Sequence, residues 1–109
     1  KWMTRLTAAF WVQAYLRRLT LENIPAYILA HGDDYAGAVL VKLATLDGEA
    51  CLFQRGFDLQ TGDRVWQQLE QGTEEQIDKA LQRQLGFDPD LWVIEVEDRA
   101  GRHFLDDYV

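Results

Sequence analysis

Six ionisable side chains fall within nine residues near the end of the chain: Glu95, Glu97, Asp98, Arg99, Arg102 and His103. Glu95 and Glu97 are two apart in a segment with strand character, so both project from one face. A carboxylate pair can do acid–base work, because one member raises the pKa of the other. Arg99, Arg102 and His103 flank Gly101. Arginines beside a glycine turn can hold a phosphate or a carboxylate. Arg17 and Arg18 join that set if the first helix packs nearby. The competing reading is structural: a turn at Ala100-Gly101 whose arginines neutralise Glu95, Glu97 and Asp98.

Other chemistries fit less well. The chain has no serine, which excludes a Ser-His-Asp triad. Neither phosphate-binding glycine motif occurs. Cys51, the only cysteine, lies in the alternating segment Ala50–Phe53 and reads as a small core residue. Asp88-Pro89-Asp90 offers two carboxylates but no further ligand at a recognised spacing, so it reads as an acidic turn and no metal is expected. No cofactor is expected either.

The elements that position these groups follow from periodicity. Ala8, Trp11, Val12, Tyr15, Leu16 and Leu19 line one face of a helix over residues 7–20, with Thr7 as N-cap. Residues 26–31 alternate as a strand. Residues 38–46 form a second strand, with Val39, Val41 and Leu43 on one face. Asp47-Gly48 predicts a two-residue hairpin turn with positive φ at both positions. Residues 49–55 and 63–69 continue as strands. Thr73-Glu74-Glu75-Gln76 is a capping box that opens a second helix, and Gly86 is placed just beyond its end. Residues 91–98 form the last strand, with Trp92, Ile94 and Val96 facing a core shared with Trp11, Val12, Leu16, Val39 and Val41. The expectation is an α+β fold in the order α-β-β-β-β-α-β. It has two layers, an antiparallel sheet of about five strands and two amphipathic helices.

At 109 residues and 48% hydrophobic content the chain suits a single domain over residues 1–109, with residues 1–6 irregular or extended. Lys1-Trp2 precede a methionine, which makes Met3 the expected natural start. The net charge of −7 argues against duplex-DNA binding. Residues 1–20 nevertheless carry four basic side chains and no acid, so the first helix is expected to lie against an acidic body. No apolar run reaches the ~18 residues of a membrane span. One cysteine and no signal-peptide pattern fit a cytoplasmic protein.

Several blocks resemble a known family. They are Trp11 with Leu16-Arg17-Arg18, Gly37 to Lys42, Arg83-Gln84, Phe87 to Val93, Glu97-Asp98-Arg99 and Gly101-Arg102. Over nearly the whole chain from Met3 they are similar to the short alphaproteobacterial proteins of domain of unknown function 1491. The resemblance implies a bacterial cytoplasmic protein and brings no activity, cofactor or catalytic residue.

Two function classes follow. The first is a small binding or adaptor domain, recognising a protein or an anionic ligand through Arg17, Arg18, Asp98, Arg99, Arg102 and His103. The second is a small hydrolase-like enzyme using Glu95, Glu97, Asp98 and His103. The first is favoured, because the second lacks a nucleophile and a metal set.

Overall fold

The computed structural model describes residues 7–108, apart from the side chains of Phe57 and Tyr108. The expectation for residues 1–6 lies outside the described residues. Helix α1 spans Ala8–Leu21, followed by strands β1 (Ala26–Ala30), β2 (Val39–Ala44), β3 (Glu49–Phe57) and β4 (Arg64–Thr73). Helix α2 (Glu74–Phe87), strand β5 (Trp92–Glu97) and a 3-10 turn at Leu105–Tyr108 complete the order. The α+β class, the five strands and the sequence of elements are as expected.

The sheet differs in one respect and the layering in another. Its order is β1-β5-β2-β3-β4. β5 pairs antiparallel with β1 but parallel with β2, so the sheet is mixed rather than antiparallel throughout. The helices lie on opposite faces, which makes three layers instead of two. Ala8, Trp11, Val12, Tyr15 and Leu19 of α1 pack on Val39, Val41, Leu43, Trp92, Ile94 and Val96. Ile77, Ala80 and Leu81 of α2 pack on Leu40, Ala50, Leu52, Leu91 and Val93. The cause lies in the central strands. Every residue of β2 is buried, and both sets of alternating side chains need cover. The predicted core is the α1 side of this arrangement, with Leu16 packed at its margin.

The termini of the elements follow local chemistry. The Thr7 hydroxyl accepts from the Phe10 N–H at 3.2 Å. At Thr73 both halves of the capping box form: Gln76 N–H to the threonine hydroxyl, and Thr73 N–H to Gln76 Oε1. Gly86 lies inside α2, whose cap is Asp88, so it is not the terminating residue. The β2–β3 hairpin is also looser than expected. Thr45 N–H donates to Glu49 O, and positive φ falls on Leu46 and Gly48 rather than on Asp47-Gly48. Asp47 instead accepts from the Thr45 hydroxyl and the Glu49 N–H, which closes a three-residue loop.

Candidate functional site

The chain leaves β5 through a tight turn. Gly101, at φ +76°, lets its N–H return to Asp98 O. The Arg102 N–H donates to Asp98 Oδ2 at 2.7 Å, and the guanidinium grips the same carboxylate through Nε and Nη2 at 3.2 and 3.0 Å. Those hydrogen bonds hold Asp98 below the usual carboxylate range. Arg99 reaches across the β2–β3 hairpin, 3.4 Å from Leu46 O. Arg18 lies 3.4 Å from Glu22 and 3.2 Å from Asp107, with its guanidinium over the Phe104 ring. Glu22 in turn acts on Arg102. Arg18 is thus paired with Glu22 and Asp107, and Asp98 with Arg102, within the same chain, while His103, next to Arg102 in sequence, joins none of these pairs among the described residues. Arg17 stands apart and lines a groove on α1 with Phe10, Gln13 and Ala14.

His103 is half-buried and its ring packs against that of Phe53, tilted by 51° at 4.9 Å between centroids. Its Nδ1 accepts the Leu105 N–H at 3.0 Å, while its carbonyl accepts the Tyr15 hydroxyl at 2.8 Å. Burial lowers its pKa from the ordinary 6.5. The unfolded chain therefore binds the proton more readily, and this stability is lost as pH falls from about 6.5 through the folded value. His103→Asn keeps an acceptor and removes the titration. We expect its melting temperature to lie below that of the wild type at pH 7.5 and the gap to narrow below pH 6. A gap that is constant with pH would show that His103 does not titrate on unfolding.

Glu95 and His103 are on opposite faces of the sheet. The register pairs Lys42 with Glu95 on the α2 face, and Val41 with Phe53 on the α1 face. The hydrolase set is therefore not brought together. Sequence reasoning passed over the group that does surround Glu95. Lys42 is 3% exposed and lies 2.8 Å from Asp78, 3.0 Å from Glu74 and 3.5 Å from Glu95. Burial works to lower its pKa, but the hydrogen bonds it donates to Asp78 and Glu74, with the nearby charge of Glu95, outweigh burial and raise it. The visible signal was a lone charge inside the apolar run Val39–Ala44. Cys51 is half-buried rather than core, and burial pushes its thiol pKa up. Asp88-Pro89-Asp90 is a turn in which Asp88 Oδ1 accepts the Asp90 N–H.

A second feature missed in the sequence is a cleft of about 370 Å³ at the far end of β2. The β2–β3 ladder begins at Leu40 and Gln54, whereas β3 continues to Phe57 along β4 alone. The hairpin therefore splays from β2. Ala38–Leu40, Gln54–Gly56 and Arg64 line the gap, which Gln84, Asp88 and Leu91 close from the α2 side. Its charged groups come from three separate elements, which no local pattern could join.

The comparisons agree with this architecture. The model of the family described as "Protein of unknown function (DUF1491)" matches residues 6–106. A crystal structure of a DUF1491 family protein from Caulobacter crescentus CB15 is 41% identical, covers 92% of this chain and 94% of its own, and superposes with a TM-score of 0.83. An NMR structure of a family protein from that organism is 42% identical, with 91% of each chain covered and a TM-score of 0.78. The solution structure of Atu0922 from A. tumefaciens is 28% identical over 86% of each chain, with a TM-score of 0.72. No curated protein matches the chain. Family model, identity and fold agree over most of its length, and the chain belongs to the DUF1491 family.

Proposed function

We propose that residues 1–109 form one cytoplasmic binding domain that takes its ligand in the cleft where β3 leaves β2. The observation that carries this reading is the splay itself. A sheet that stops pairing while one strand runs on leaves a concave wall, and ligand sites are concave. The lining residues include Gln54, Gln84, Arg64 and Asp88, and among the described residues there is no nucleophile held by a base in the lining. Several charged groups elsewhere are engaged with one another, as Asp98 is with Arg102 and Lys42 is with its three acids. No helix among the described residues is long and apolar enough to cross a membrane.

A second surface is the turn at Asp98–Arg102, because Arg99 is exposed there, at the limit of hydrogen-bond length from the Leu46 carbonyl and acting on the Asp47 carboxylate. Titration of ¹⁵N-labelled protein with small neutral, cationic and anionic fragments separates the two. We expect saturable shifts in the amides of residues 38–40, 54–56 and 84–88. Shifts confined to residues 98–103 would move the function to the turn, and their absence everywhere would remove the reading.

A further inference from the structure

We propose that the free edge of β1 takes up an extended peptide as an added strand, one whose residues alternate between apolar and basic; the site is apart from the cleft and does not depend on it. β1 ends the sheet, with β5 as its neighbour. The Glu97 N–H donates to Pro25 O at 3.0 Å, and the register goes on to pair Tyr27 with Glu95. Alternation along an antiparallel ladder then turns the N–H and C=O groups of Ala26 and Ile28 away from β5. No strand among the described residues pairs with them. Natural sheet edges are commonly guarded by charged or polar side chains. The opposite edge, β4, follows that rule with Gln67, Gln68, Glu70 and Gln71. β1 reads Ala-Tyr-Ile-Leu-Ala, and Tyr27, Ile28 and Leu29 are 51%, 40% and 52% exposed. A bulge between Ile28 and Ala30 confines regular pairing to the first part of the strand.

The charges behind this edge select the peptide. On the α2 face Glu95 stands beside Tyr27, and Glu97 beside Pro25. Lys42 answers Glu74, Asp78 and Glu95, whereas Glu97 is in no ion pair among the described residues and its charge acts on Glu95. The surplus on that face is negative. An added strand lies two strand spacings from β5, about 9.6 Å. A lysine or arginine placed opposite Pro25 or Tyr27 projects on the α2 face and reaches back toward Glu97 or Glu95, its stem over the tyrosine ring. Residues opposite Ala26 and Ile28 fall on the α1 face, where β1 presents apolar side chains. A second copy of the chain fits less well. Its β1 has no cation to offer Glu97, and it brings a net charge of −7 against an equal one.

The test titrates ¹⁵N-labelled protein with the synthetic peptide acetyl-Lys-Val-Lys-Val-Lys-Val-amide and with its counterpart in which glutamate replaces each lysine. The lysine peptide should give saturable shifts at residues 25–29 and 93–97, and amide exchange at Ala26 and Ile28 should slow. The glutamate peptide should bind more weakly by about tenfold or more. Rising sodium chloride should weaken the lysine peptide, and Glu97→Gln should weaken it several-fold. A lysine peptide N-methylated at its valines should not bind, because its strand hydrogen bonds are gone; this control leaves the protein unaltered. If both peptides bind equally, charge does not select the partner and the inference falls. If N-methylation changes nothing, strand addition is wrong. If the protein sediments as a dimer with Ala26 and Ile28 already protected, a second copy occupies the edge and the inference falls. Shifts confined to residues 38–40 and 54–56, or no shifts at all, also overturn it, and the first of these leaves the cleft reading standing.

Discussion

Replacing Lys42 with alanine should cost about 3–5 kcal/mol, a large share of the stability of a domain of this size. The Nζ sits under α2, where the carboxylates of Glu74, Asp78 and Glu95 converge on it. Glu74 and Asp78 belong to the start of α2, and Glu95 to the middle of the sheet. The lysine therefore ties helix to sheet and also neutralises an acid that is itself largely shielded. Without it Glu95 is left half-buried among acids. Burial already raises the pKa of Glu95 above its ordinary 4.5, and Lys42 opposes that rise. A raised carboxyl contributes stability below its unfolded pKa and loses that contribution as pH rises through the folded one. Removing Lys42 moves the folded value further up. The deficit of Lys42→Ala should accordingly be largest near pH 7 and shrink toward pH 4.5. Urea unfolding across that range reads it directly. A deficit under 1 kcal/mol, or one that grows on acidification, would mean that the cluster does not hold α2. Lys42→Met with Glu95→Leu should recover much of the loss, since a well-packed apolar pair can replace a buried ion pair.

Lys42 also shows where the sequence was legible and where it was not. Short-range chemistry was readable. The capping box at Thr73–Gln76 and the turn at Gly101 each depend on a few adjacent residues, and each forms. Long-range placement was harder. Val39, Val41 and Leu43 mark one buried face, but Leu40 and Ala44 are apolar as well, so the strand is covered on both sides. Period-two reading finds one face and treats the other as solvent. The same reading puts Glu95 and Glu97 together on one face without recognising that face as covered, although Leu91 and Val93 precede them on it. With two covered faces the helices had to separate, and β5 could enter beside β2 in parallel. The cleft was beyond local reasoning, because Leu40, Gln54, Arg64 and Gln84 come together only after the sheet and α2 are assembled.

Trp92→Ala should likewise cost about 3–5 kcal/mol, and it should do so through two structures at once. The side chain is 1% exposed and packs in the α1-side core. Its indole N–H donates to Asp33 O at 2.8 Å, and the His31 ring lies against it at 4.1 Å. The loop over residues 31–37 is moulded around that ring: a Cβ at Gly32 or Gly37 would come within 2.8 Å of Trp92 Cδ1. The loop has a task in the fold. Tyr35 O and Asp34 O accept the N–H groups of Ala8 and Ala9, donors at the start of α1 that no helix can satisfy internally. The tryptophan therefore fixes the loop, and the loop fixes the beginning of the helix. Trp92→Phe separates the effects. It keeps most of the apolar volume but drops the hydrogen bond, so it should cost about 1–2 kcal/mol. Its amide exchange should quicken at residues 33–37 and at Ala8 and Ala9, while the amides of β2 and β3 stay protected. Uniform quickening across the sheet would mean that Trp92 acts only as core volume. An unchanged melting temperature in Trp92→Ala would remove it from the core altogether.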